Sequence, residues 1–243
     1  MDQETRVVND TLPRFEKSHG KSEAEIRRRI LKAVFEQRMR PGERLTEEQL
    51  ATAFDVSRTV VRQAMARLAQ DGILEKLPNV GSTVASPSRK QTRDILAIRK
   101  MVEPEIVRSL AAAPSGPAVA RLRAHLLQEF DARKRGDRGT LVRLTGEFHL
   151  LLAELAGNEL LTHLMTGLQA LTCLAILLHA EREDACPPDE HGTIVAAIEV
   201  GDGEAAAAQM LHHLRHVEKD LHLDRPEPES ALAWLRGSER ERI

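Results

Sequence analysis

Residues 44–72, RLTEEQLATAFDVSRTVVRQAMARLAQDG, constrain the fold more than any other stretch of this chain. They predict two short helices joined by a tight turn. Thr46 is placed to N-cap the first, with Gln49 three residues later in the capping-box position. Leu50, Ala51 and Phe54 then recur at helical spacing. Asp55 and Val56 interrupt the pattern, and Ser57 opens a second helix that runs to a stop at Gly72. On that helix Val60, Ala64 and Leu68 repeat every four residues, and Val61 and Met65 widen the stripe toward a core. Arg58, Thr59, Arg62 and Gln63 lie on the other side. Guanidinium groups thus crowd the end of the helix where orphan backbone N–H groups and the positive end of the dipole already point. Such an end suits an anion, and a phosphate beside a major groove of duplex DNA is the natural one.

A helical hairpin with solvent-facing arginines is the plain alternative, and the flanking sequence decides against it. A Pro41–Gly42 turn leads in, and after Gly72 comes a strand–turn–strand pattern: Ile73 to Leu77, then Asn79-Val80-Gly81, then Thr83 to Ala85. Upstream, a helix is expected from Ser22 to Arg38, with Ile26, Ile30, Ala33 and Val34 packing inward and Arg27-Arg28-Arg29 on a solvated face or near a phosphate. The layout is that of a winged helix-turn-helix.

At 243 residues the chain has room for two domains. Its net charge of −2 carries no nucleic-acid signal, but the halves differ. Residues 1–90 hold 17 Lys+Arg against 13 Asp+Glu, and the remainder holds 18 against 24. A basic front and an acidic back fit one domain that meets phosphates and one that does not. Two cysteines, Cys173 and Cys186, make no disulfide framework, and the apolar run from Leu171 to Leu178 is far short of a span of about 20 residues. A cytoplasmic protein with no membrane contact is expected. With aromatics at 2% and no tyrosine, single-strand binding by base stacking is disfavoured.

The expected domains are a flexible arm (1–21), the winged helix-turn-helix (22–85), a linker (86–92), an all-α domain (93–224) and a tail (225–243) containing the only tryptophan. Six or seven helices are expected in the all-α part, broken near Pro114–Pro117, Gly136–Gly139, Gly157-Asn158, Pro187-Pro188 and Gly201–Gly203. A bundle of this size can enclose a small-molecule site.

Residues 22–85 resemble the DNA-binding domain of the GntR superfamily of bacterial transcription regulators. The resemblance rests on Pro41-Gly42-Glu43-Arg44-Leu45, Leu50-Ala51, Val56-Ser57-Arg58-Thr59, Val61-Arg62-Gln63-Ala64, Leu68, Asp71-Gly72 and Gly81. It implies DNA contacts from Arg44, Thr46, Ser57, Arg58, Thr59, Arg62 and Gly81. The wing departs from the family pattern, with Val80 where a basic residue or histidine often stands beside the glycine. The remainder resembles the FCD domain of the FadR branch, through Arg99 with Glu103-Pro104, Phe148-His149, Asn158, Glu190-His191, Ala197, Gly201-Asp202, Ala206, Met210 and His213-Leu214.

That second resemblance implies a divalent metal, zinc or nickel, on His149, His191 and His213. The family's aspartate should stand four residues before the first histidine, where this chain has Thr145. Glu147 lies on the wrong helix face to replace it, and Cys186 is a minor alternative. Arg99 and Glu103 are either a plain i,i+4 pair or, as the family implies, part of an effector site in which the guanidinium grips a carboxylate. A homodimeric repressor that binds operator DNA and is relieved by a small organic acid is the reading that follows. The competing readings are a metal sensor, a zinc hydrolase built on the three histidines with Glu147 or Glu190 as base, and a nonspecific architectural DNA binder. No HExxH, nucleophile elbow or Gly-rich phosphate loop supports the hydrolase.

Overall fold

The computed structural model describes residues 23–77, 81–180 and 189–224. The expected arm, the wing residues Asn79 and Val80, Cys186, Pro187-Pro188 and the tail lie outside these residues.

The N-terminal head contains α1 (Glu23–Phe35), β1 (Arg44–Leu45), α2 (Glu47–Phe54), α3 (Arg58–Gln70), β2 (Leu74–Leu77) and β3 (Gly81–Val84). Helix α1 is shorter than its periodicity predicts because Gln37 takes a left-handed φ of 56°, which turns the chain away from the helix. Ile26, Ile30, Val34 and Phe35 form its buried face. Thr46 caps α2 in a full capping box with Gln49, and Asp55 ends it in the left-handed region. Ser57 caps α3, whose buried stripe is Val61, Ala64, Met65 and Leu68. Val60, expected at the centre of the stripe, is only half-buried.

The sheet has the order β1-β3-β2, with both pairs antiparallel. Strand β1 is a two-residue element that sequence reading did not anticipate; it pairs Arg44 with Thr83 and Leu45 with Ser82. Gly81 sits where this strand crosses β3. Its φ is 111°, and a Cβ added there would lie 2.9 Å from the Leu45 carbonyl oxygen.

Six helices follow: α4 (Arg89–Ala112), α5 (Gly116–Lys134), α6 (Arg138–Leu155), α7 (Glu159–His179), α8 (Glu190–Glu199) and α9 (Gly203–Asp220). Helix α4 starts inside the expected linker, because Ser88 and Gln91 form a second capping box. Among the described residues α7 alone has the length and hydropathy of a membrane span, with a mean hydropathy of 1.7. It is predominantly apolar because it touches several cores at once. Met165 and Leu168 belong to the main bundle core, while Ala170, Cys173 and Leu174 belong to the core of the head. The head is therefore packed on α7 rather than tethered beside it. Gly146 on α6 permits this: a Cβ there would meet Gln169 at 3.1 Å and Cys173 and Phe35 at 3.5 Å.

Replacing Gly81 by alanine should destabilise the protein by about 1–3 kcal/mol, through the left-handed backbone and the clash with Leu45. Thermal or urea unfolding measures this, and an unchanged midpoint would show that the crossing is not built as described.

Candidate functional site

The head presents its polar residues at the leading end of α3. Ser57, Arg58, Thr59 and Arg62 are all exposed, and Arg44 is exposed on β1. Two of the expected contacts have structural duties. The Thr46 hydroxyl accepts from the Gln49 amide at 3.2 Å and donates to the Gln49 side chain at 2.9 Å. Gly81 serves the strand crossing. Arg62 is held by Glu47 of α2 through two bonds of 2.8 Å. Its side chain is 68% exposed, so solvent screens this pair and the guanidinium stays available to another acceptor.

At the centre of the helical domain three histidines converge from three helices. His149 of α6, His191 of α8 and His213 of α9 are all buried. His213 Nε2 lies 3.3 Å from His149 Nε2 and 3.4 Å from His191 Nε2. Phe148 stacks on the His191 ring at 4.0 Å between centroids.

Each imidazole is oriented from behind by a carboxylate. His149 Nδ1 donates to Glu103 Oε2 at 2.5 Å, His191 Nδ1 to both oxygens of Glu129 at 3.0 Å, and His213 Nδ1 to Glu190 Oε2 at 2.8 Å. With the proton on Nδ1, each Nε2 turns a lone pair toward the other two. A tetrahedral zinc with Zn–N bonds of about 2.0 Å spaces its ligands about 3.3 Å apart, close to the two Nε2 separations here.

Burial lowers His149 to about 4 and His213 to about 3, despite the carboxylates that oppose it. Both rings are neutral at physiological pH, the form that ligates a metal. For the carboxylates the balance is reversed. Burial would raise Glu129 and Glu190, but hydrogen bonds from the histidines outweigh it and hold both at about 2. Glu103 stays well below the usual carboxylate range, because Arg99 and His149 overcome an even larger burial effect. Three ionised carboxylates against one guanidinium leave an excess of negative charge around the three rings, which suits a divalent cation.

Arg99 is 1% exposed and donates through Nε to Glu103 Oε1 at 2.6 Å and through Nη1 to Thr172 at 3.2 Å. Its Nη2 is buried with no hydrogen-bond partner among the described residues. Both Glu103 oxygens are taken, one by Arg99 and one by His149, so Glu103 bridges the arginine and the histidines. Thr145 does not join the cluster. Its hydroxyl donates to the Val142 carbonyl at 3.0 Å. Glu147 turns away, to Arg143 Nη1 at 2.6 Å.

Glu129 is the member of this centre that sequence reasoning missed. The available signal was its i,i+4 position after His125, a fourth buried histidine, on the same face of α5.

A winged helix-turn-helix head on an all-α domain is the architecture of a DNA-binding regulator. Residues 22–84 match the model of bacterial regulatory proteins of the gntR family, and residues 94–216 match the FCD domain. This chain belongs to the GntR family and carries an FCD ligand-binding domain.

It is 28% identical over 191 residues to the HTH-type transcriptional repressor RspR of Escherichia coli, covering 77% of this chain and 83% of that one. It is 30% identical over 183 residues to an HTH-type transcriptional regulator in an unstable DNA locus of Streptomyces ambofaciens, covering 74% and 77%. The fold superposes on E. coli McbR/YncC with a TM-score of 0.75 at 19% identity, covering 82% and 96%. The family is one of transcription regulators and not of enzymes, so the hydrolase reading has no support.

The buried centre sets a pH dependence for chelated protein. Between pH of about 6.5 and 4 the unfolded chain takes up protons that His149 and His213 refuse in the fold, so stability rises with pH across that window. Glu129 and Glu190 extend the loss below about 4.5, where the unfolded carboxyls protonate first. The urea midpoint should therefore fall steadily as the pH is lowered from 7.5 to 5. A flat profile would contradict neutral, buried rings.

Proposed function

We propose that this protein is a cytoplasmic homodimeric transcriptional repressor whose hold on a pseudo-palindromic operator is relieved by a small organic acid. Each subunit places α3 in a major groove, with half-sites about 34 Å apart. Arg44, Ser57, Arg58, Thr59 and Arg62 are the DNA-facing side chains in this reading, while Thr46 and Gly81 shape the surface that presents them. The repressor direction follows the relative named a transcriptional repressor.

One observation carries the effector side. Arg99, fully buried beside the histidine centre, keeps Nη2 without a partner. A carboxylate supplies the acceptor that this donor lacks. His149, His191 and His213 would hold a zinc or nickel ion, which would supply positive charge and open coordination positions beside Arg99.

The route to the head is short. Arg99 donates to Thr172 on α7, and the next residue, Cys173, lies in the core of the head with Ala170 and Leu174. A ligand that repositions Arg99 bears on the helix against which the head is packed. Such a coupling is typically about 1–3 kcal/mol, and it extends only as far as the ligand prefers one placement of the heads.

Alanine at both Arg58 and Arg62 should weaken specific operator binding by at least about tenfold at fixed salt, since each arginine–guanine contact discriminates by about 1–3 kcal/mol. Fluorescence anisotropy against operator and random DNA reads this, and undiminished specificity refutes the assignment of α3.

Thr145→Asp places a carboxylate one turn before His149. It should tighten zinc or nickel binding at this centre by at least about tenfold, comparable to the loss when a supporting group is removed. Calorimetric titration showing equal affinity in the variant would refute the histidine centre as the metal site.

A further inference from the structure

We infer that α8 and α9 carry a second metal site at the protein surface, built from His212, His216 and Glu190 and separate from the buried trio. His212 and His216 stand four apart on α9, one turn from each other on the same face. Their ring centroids are 6.4 Å apart. Glu190, the first residue of α8, places Oε1 between them: it accepts from His216 Nδ1 at 2.8 Å and lies 3.6 Å from His212 Nε2. One ligand atom from each of the three falls within 4.8 Å of the others, the compactness that a single ion requires.

The surroundings fit an ion better than a purely structural contact. His212 is 70% exposed, and at 3.6 Å its nitrogen is too far from Glu190 for a good hydrogen bond, so fold stability does not account for its position. A cation between them closes that gap. Asp220 lies 3.9 Å from His216 Nε2, where a ligating imidazole ordinarily has an outer carboxylate. Two imidazoles and a carboxylate select borderline transition metals such as zinc, nickel or copper(II) over magnesium or calcium, and the exposed side leaves room for water ligands. On binding, the one proton of the neutral His216 ring moves from Nδ1 to Nε2, on the side of Asp220, and Nδ1 takes the metal in its place.

This site touches the buried centre through one residue. Glu190 Oε2 orients His213 while Oε1 faces the surface pair. The same carboxylate is a ligand of the outer site and an orienting group of the inner one.

The test uses the full chain, free of any histidine tag and stripped with chelator, titrated with zinc and counted by native mass spectrometry. Wild type should take up one more ion per chain than His212→Ala. Because His212 is exposed, the melting temperature of the two metal-free proteins should agree. If the inner trio also binds, the counts are two and one; if it does not, they are one and none. Equal counts overturn the surface site under either condition. Copper(II) paramagnetic resonance gives a second reading. Nitrogen coupling from a two-imidazole site should be present in wild type and missing from His212→Ala and His212→Gln, and identical spectra would likewise overturn the proposal.

Discussion

The helical domain depends on the pairing of two buried carboxylates and one part-buried carboxylate with buried imidazoles. Glu103 from α4, Glu129 from α5 and Glu190 from α8 each receive an Nδ1 proton, from His149 on α6, His191 on α8 and His213 on α9. Five helices are thereby fixed to one another at one point. Taking these groups out of water costs several kcal/mol each, and it is tolerated only because every carboxylate is partnered. Removing one partner would strand a charge in the core at a cost of about 3–5 kcal/mol. The pairing also fixes the tautomers, so that the three Nε2 atoms face one another. The geometry of the ligand centre is thus a by-product of satisfying buried charge.

Helix α7 connects that centre to the head. It contributes no histidine and no carboxylate to the pairing, and its buried residues are apolar apart from Gln169 and Thr172. Thr172 meets Arg99 on one side, while Cys173 and Leu174 lie in the core of the head on the other. Burial pushes the Cys173 thiol up to about 12, so it acts as a small hydrophobe rather than a nucleophile. Close contact is possible because Gly146 lets α6 and α7 approach around Phe35. In the proposed reading no long lever is needed, because a displacement of α7 would move the surface on which the head rests.

Much of this architecture was legible in the sequence, and the exceptions share a cause. The helix breaks at Pro114–Pro117, Gly136–Gly139, Gly157-Asn158 and Gly201–Gly203 were readable because glycine, proline and asparagine act locally on the backbone. The caps at Thr46 and Ser57 were readable for the same reason. The capping box of Ser88 and Gln91 was equally local and was simply passed over in favour of a linker. Strand β1 exists only because β3 pairs with it, and two residues carry no periodicity of their own. The histidine centre is the extreme case. Separations of 42 and 22 residues between the histidines say nothing about proximity, and only the family resemblance brought them together. Glu129 stayed hidden because its partner His191 is 62 residues away.

Thr145 changes what this centre can accept. An aspartate there would add one negative charge beside the three rings. With threonine, whose hydroxyl is turned back to the Val142 carbonyl, that charge is absent. In the proposed reading a carboxylate approaching Arg99 Nη2 would then meet one anion fewer, and in a low-dielectric interior that difference is large compared with RT. In that reading the threonine would leave the metal one ligand fewer and lower the electrostatic barrier to an acidic effector, so weaker metal affinity and easier entry for an anion would be two consequences of one residue.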